Sequence, residues 1–144
     1  MKIERLTSLL TYAGAIPFAV ALVLEYSQTK LWGLDGGSWF ITYGLVIVSF
    51  MAGSVWGHSL LHAERKRRPF ILISTNVLTL VAWFVYMLAP PMMSLAINGL
   101  ALLALAGLEL RWSGLGTVAD YYLMLRARIT LVVLVMHAVM LAII

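Results

Sequence analysis

Polar side chains within otherwise apolar stretches are the residues of this chain that could carry out chemistry. Ser54, His58 and His62 follow at intervals of four, which places them on one face of a helix. Imidazoles at this spacing can bind zinc or move protons, and they can equally hydrogen-bond to a neighbouring helix. His58 and His62 have the spacing of two zinc ligands, but the Glu of the metalloprotease motif is missing, so we predict no metal site.

A second set of polar residues is predicted to reach the same level of the protein. Asn76 lies near the start of one apolar stretch, and Glu109 ends another. Arg126 and Thr130 share a face at the beginning of the last stretch. The candidate polar cluster is therefore Ser54, His58, Asn76, Glu109, Arg126 and Thr130. Its members either make interhelical hydrogen bonds or line a site for a ligand, and they specify no cofactor and no catalytic residue.

The elements that must position these residues are membrane-spanning helices. The chain has 144 residues, of which 62% are hydrophobic and 11% charged, and this composition excludes a water-soluble globule. Uninterrupted apolar runs such as LVVLVM exclude β-barrel strands, which alternate in polarity. We predict an all-α integral membrane bundle in which a single domain holds five transmembrane helices, spanning about residues 7–25, 39–61, 70–88, 92–109 and 126–144.

The basic residues predict the orientation of these helices. Nine of the ten Lys and Arg residues fall in the N-terminal segment, in the connections after the second and fourth spans, or at the very start of the fifth span. By the positive-inside rule the N-terminus is cytoplasmic and the C-terminus periplasmic, in a bacterial inner membrane. The basic loop, Arg65, Lys66, Arg67 and Arg68, is then predicted to fix the topology and meet lipid headgroups rather than nucleic acid.

Small residues on the second span predict close helix packing. Ser49, Gly53 and Gly57 recur every four residues, which lets another backbone approach closely. We expect this ridge to pack within the bundle, most simply against the fourth span, which is also rich in Gly and Ala. Homodimerisation along the ridge is the alternative.

Two local signals concern the first and last helices. Pro17 removes a backbone donor within the first span and predicts a kink near its middle. Thr117 and Asp120 have the spacing of a helix cap, so a helix is predicted to start at Thr117 on the inner surface and continue into the fifth span.

Three segments carry a resemblance to a known family: YAGAIPF (Tyr12 to Phe18), YGLVIVSFMAGSVWG (Tyr43 to Gly57) and ADYYLMLRARIT (Ala119 to Thr130). They resemble the small bacterial inner-membrane proteins of the domain of unknown function numbered 3429, whose eukaryotic relatives are mitochondrial transmembrane proteins. The resemblance covers nearly the whole chain and implies no reaction. The family-pattern positions it implies are Tyr43, Gly44, Ser49, Phe50, Gly53, Trp56, Gly57, Asp120, Leu125 and Arg126.

The sequence leaves three classes of function. The absence of cysteine excludes disulfides and cysteine nucleophiles, and no catalytic motif is present in the sequence. The sequence favours an accessory or assembly subunit that acts through partner proteins, membrane lipids or self-association, without catalysis of its own. The alternatives are an oligomeric transporter or channel for a small solute or ion, and a membrane enzyme or quinone-binding protein that uses the polar cluster.

Overall fold

The computed structural model describes residues 3–112 and 120–144, which form an all-helical bundle without strands in either range. The helices are α1 (Ile3–Ala13), α2 (Ile16–Tyr26), α3 (Gly36–His62), α4 (Arg68–Leu88), α5 (Pro91–Trp112) and α6 (Asp120–Ile143). Helices α1 and α2 together make up one span. The described residues therefore contain five spans that are long and apolar enough to cross a membrane. The predicted all-α class with five spans is confirmed. The predicted helix start at Thr117 lies outside the described residues.

The first span is broken between α1 and α2, as Pro17 predicts. Helical geometry stops at Gly14 and Ala15 and resumes one residue before the proline. The Gly14 carbonyl, exposed by this break, accepts a hydrogen bond from the Tyr43 hydroxyl of α3 at 2.9 Å. The break is therefore stabilised by a neighbouring helix, which is how irregular backbone is accommodated in hydrocarbon.

Two carboxylates complete the N-terminal end of α3. Asp35 is its N-cap residue and accepts a hydrogen bond from the Ser38 amide at 2.7 Å. Glu25, at the end of α2, accepts one from the Gly37 amide at 2.7 Å. The first amides of a helix have no partner within the helix, and its N-terminal end favours negative charge. These two acids therefore serve a structural role at the end of the span.

Helix α3 lies at the centre of the bundle and contacts α2, α4 and α5. Its buried stripe recurs every three or four residues and is made of Phe40, Ile41, Gly44, Val48, Met51, Ala52, Val55 and Ser59. Helix α3 does contact α5, the fourth span, but through this buried stripe and not through the ridge of Ser49, Gly53 and Gly57. We call the side of the bundle that carries the α3–α4 loop the basic side, since Arg65 and its three basic neighbours lie there.

Candidate functional site

An ion pair joins the last two helices on the basic side. The Arg126 Nε donates a hydrogen bond to Glu109 Oε2 at 2.9 Å, and Nη2 lies 2.9 Å from the same oxygen. Only 11% of the arginine side chain and 10% of the glutamate side chain are exposed. Arg126 also lies over the ring of Tyr122, with its guanidinium carbon 5.7 Å from the ring centre. Two of the six predicted cluster residues therefore meet in a buried, charge-compensated pair.

A cavity of about 220 Å³ lies beside this ion pair. Arg126 and Thr130 provide its wall on α6, and the break between α1 and α2 borders it through Thr11 and Gly14. The rest of the lining is apolar. It consists of residues that were not in the predicted cluster: Leu10, Phe18, Ile47, Phe50, Met51, Leu102, Ile129 and Val133. The proline-induced break in the first span was the sequence signal that could have located this cavity.

The other predicted cluster residues lie elsewhere. The Asn76 amide donates to the Leu72 carbonyl of its own helix at 2.8 Å, and the residue is exposed. The His58 ring stacks on the ring of His62, with centres 4.4 Å apart. Ser54 is half-buried on α3, one turn before His58. Asn76 lies in a groove between α3 and α4, away from the lining of the Arg126 cavity.

The expectation that the small-residue ridge of α3 packs within the bundle is wrong for the part of the chain that the structure describes. A Cβ added at Gly53 or Gly57 would meet nothing within 4 Å among the described residues, and Ser49 is exposed. The reason is that α3 buries an adjacent stripe instead. Gly44 is the small residue that permits close contact with α5, because a Cβ there would lie 2.9 Å from Asn98 Nδ2.

The open ridge borders a groove between α3 and α4. This groove has a volume of about 260 Å³, and most of its lining residues are polar or small: Ser49, Ala52, Gly53, Trp56, Thr75, Asn76 and Thr79. The Thr79 hydroxyl donates to the Thr75 carbonyl of its own helix. The groove is thus a strip of small, hydroxyl-bearing and amide-bearing residues on the surface of the single chain, at a level where α3 and α4 cross the membrane.

The basic loop is exposed at Arg65, Lys66 and Arg67, whereas Arg68 is half-buried. Arg67 pairs with Glu64 at 3.2 Å on the surface, and Arg68 donates to the Ala63 carbonyl at 3.1 Å. The loop therefore presents its cations at the end of the bundle, where lipid headgroups would lie.

Two buried polar residues lie in the middle of the bundle: His137, which its spacing puts on the same helix face as Arg126 and Thr130, and Asn98, which the sequence analysis did not identify. Asn98 is 1% exposed and donates to the Ile41 carbonyl of α3 at 3.0 Å. His137 is 3% exposed, and its Nδ1 lies 2.8 Å from the Val133 carbonyl, so Nδ1 is the protonated nitrogen. Its ring packs on Phe18 and Phe40. These residues connect helices, and an amide in an uncharged apolar run was the signal for Asn98.

The described residues also bear on metal binding. Within residues 3–112 and 120–144, no three or more His, Asp or Glu side chains come together in a group that could hold a metal ion. His58 and His62 stack on each other, and in these ranges they do not form part of a group of three side chains that could bind a metal ion.

The comparisons with known proteins identify the family. Comparison with curated proteins and with solved structures gave no match. The family model described as "Protein of unknown function (DUF3429)" matches residues 3–142, which is nearly the whole chain. The match includes the ion pair, the cavity and the open ridge. The chain therefore belongs to the DUF3429 family of proteins of unknown function.

Proposed function

We propose that the protein is a multi-pass subunit of the bacterial inner membrane that acts through partner proteins and lipids, as an accessory or assembly factor without catalysis of its own. One observation carries the proposal: the polar groove between α3 and α4 is open in the single chain. A partner helix could lie along it, because Gly53 and Gly57 leave space for a second backbone.

The chemistry of the groove favours a protein partner over lipid alone. Asn76 is exposed there, and its amide nitrogen is already bonded to its own helix. Lipid tails offer no hydrogen-bond partner to the remaining amide oxygen, and an unsatisfied polar group in hydrocarbon is costly. A helix with a hydroxyl or amide side chain would satisfy this oxygen and fill the space beside Gly53. Such contacts are typical of helix association in membranes.

The lipid part of the proposal rests on the basic loop. Its exposed cations suit the anionic surface of a cytoplasmic leaflet, where each basic residue contributes about 1 kcal/mol. This reading sets the N-terminus and the α3–α4 loop in the cytoplasm and the C-terminus in the periplasm.

Cross-linking in native membranes tests the partner. The natural chain has no cysteine, so Gly53→Cys introduces a single reactive site in the groove. This variant is labelled with a photoactivatable maleimide and irradiated, and the adducts are identified by mass spectrometry. Leu131→Cys is the matched control, because residue 131 is 64% exposed on α6 at a similar distance from the basic side. We expect a discrete protein adduct from residue 53 that is absent from residue 131.

A third variant makes the result specific to the groove. Gly57→Leu fills the ridge one turn away, so adding it to Gly53→Cys should abolish the adduct. Equal adducts from residues 53 and 131, or no adduct, would overturn the proposal. An adduct that joins two copies of this chain would show that the groove binds a second copy of this protein and not a different partner protein.

A further inference from the structure

The cavity beside Arg126 is separate from the α3–α4 groove, and its chemistry points to a small ligand. It lies between α6, the centre of α3 and the break in the first span. Arg126 is six residues from the start of α6, roughly 9 Å along the helix at 1.5 Å per residue. Its guanidinium is therefore held inside the bundle, at one end of a largely apolar space.

The polar end of the cavity offers hydrogen-bond donors. A guanidinium has five N–H donors, and in this pair they meet a single carboxylate oxygen, Oε2 of Glu109. Donors are therefore left for a second acceptor in the cavity. The half-buried hydroxyls of Thr11 and Thr130 line the same space.

The charge balance of the ion pair selects a neutral ligand. Glu109 pairs with Arg126 and compensates its charge, so the cavity does not present an isolated cation. An anion placed there would leave one uncompensated negative charge in a medium of low dielectric constant, which is unfavourable. A carbonyl oxygen accepts a hydrogen bond from the guanidinium without adding charge.

The size and walls of the cavity favour a flat ring. Phe50 contributes an aromatic surface and Met51 a thioether, and both kinds of surface pack well against planar rings. At about 220 Å³ the cavity is smaller than the roughly 300–1,000 Å³ typical of sites that enclose a whole ligand. It would therefore enclose a head group, with a hydrocarbon tail lying in the surrounding lipid.

We propose that this cavity binds the ring of a neutral quinone, with Arg126 donating a hydrogen bond to one ring carbonyl. A quinone combines a flat apolar ring, carbonyl acceptors, zero charge and a tail soluble in the membrane. The proposal concerns binding and goes beyond the partner contact at the α3–α4 groove, which involves other residues.

Binding of decyl-ubiquinone to the purified protein in phospholipid nanodiscs tests this site. Thr130→Phe fills the cavity, and Leu131→Phe adds the same ring to the neighbouring, lipid-exposed position. We expect Thr130→Phe to raise the dissociation constant at least tenfold and Leu131→Phe to change it less than twofold. Equal affinities in these two variants, or no binding by the natural chain, would overturn the proposal.

Two further measurements test the role of Arg126 and the charge of the ligand. Replacing both members of the pair by Met removes the donors without leaving an isolated charge, and it should raise the dissociation constant about tenfold. Dodecanoate, an anion with a tail of similar length, should bind at least tenfold more weakly than decyl-ubiquinone. Tighter binding of dodecanoate, or displacement of the quinone by phosphatidylglycerol, would assign the cavity to anionic lipid and overturn the proposal.

Discussion

Arg126 of α6 and Glu109 of α5 form a contact between the last two helices, with Nε 2.9 Å from Oε2 and about a tenth of each side chain exposed. Glu109 lies near the end of α5 and Arg126 near the start of α6. A charge within a membrane span costs about 2.5–3.5 kcal/mol on the insertion scale, so each residue makes the other tolerable. The pair thereby joins the two helices on the basic side.

Breaking this pair on one side should destabilise the protein more than removing it entirely. Glu109→Met removes the counter-charge of the guanidinium, and Arg126→Met takes the guanidinium away from the carboxylate. A single loss from a buried pair costs about 3–5 kcal/mol. The double replacement Glu109→Met with Arg126→Met leaves no isolated charge and should cost less than either single change. Unfolding of the three variants in mixed micelles measures the difference. Additive losses would contradict the role assigned to the pair.

The number of helices could be predicted because hydrocarbon imposes a strict rule on sequence. The middle of a span excludes charged residues, so the charged positions fall near the helix ends. Pro17 likewise predicted the break in the first span, because the missing amide donor acts locally. The meeting of Glu109 and Arg126 followed from both lying at span ends on the same side. These features depend on the chain and the lipid alone.

The packing face of α3 could not be predicted, because polar and apolar residues are spread around all sides of that helix. Periodicity identifies a buried face only where polar residues mark the opposite one. The ridge of Ser49, Gly53 and Gly57 therefore suggested a packing face, whereas Gly44 and Ala52 lie in the buried stripe. The cavity beside Arg126 depends on how four spans meet around the break in the first one. Such a relation is not encoded in residue spacing.

Replacement by alanine should lower the stability of the protein at Gly36 but not at Gly53. A Cβ at Gly36 would lie against the Ala21 carbonyl oxygen and the Glu25 amide nitrogen of α2, and backbone atoms cannot turn aside. We expect Gly36→Ala to destabilise the protein by about 1–3 kcal/mol, as in other overpacked cores. Gly53→Ala meets open space and should leave the stability of the isolated protein unchanged. Thermal unfolding in detergent measures both, and similar losses would contradict the open ridge.

Asp35, at the N-terminal end of α3, should make the stability of the protein depend on pH. The hydrogen bond from the Ser38 amide holds the pKa of this carboxyl below its usual value of 3.8. A lowered pKa in the folded state means that the ionised form contributes stability above about pH 3.8, the unfolded value. That contribution is lost as the pH falls through the folded-state pKa.

Two variants isolate the contribution of Asp35. Asp35→Ala removes the cap and should cost about 1 kcal/mol at neutral pH. Asp35→Asn keeps the acceptor oxygen but does not titrate, so its loss relative to the natural chain should shrink as the pH is lowered from 6 to 3. Unfolding at a series of pH values measures this, and parallel curves for the natural chain and Asp35→Asn would refute it.

The distribution of basic residues predicts where the chain ends lie. An odd number of spans puts the termini on opposite sides, and the positive-inside rule puts the N-terminus in the cytoplasm. A single cysteine placed before Ile3 should resist a membrane-impermeant maleimide in intact cells, whereas one added after Ile144 should react. Permeabilised cells provide the control, in which both should be labelled. Labelling of the N-terminal cysteine alone in intact cells would reverse the proposed orientation.

The contact between Gly44 and Asn98 should appear as a coupling between two substitutions. Gly44→Ala would place a Cβ 2.9 Å from Asn98 Nδ2, so the asparagine must move and its hydrogen bond to the Ile41 carbonyl weakens. Asn98→Ala removes that bond, which in membrane proteins averages about 0.6 kcal/mol, and leaves a small void. In the double variant the new methyl group faces a shortened side chain and fills part of that void. The combined loss should therefore be smaller than the sum of the single losses, by about 0.5 kcal/mol or more. A double-mutant cycle on unfolding free energies tests this, and strict additivity would mean that the two residues do not pack together as described.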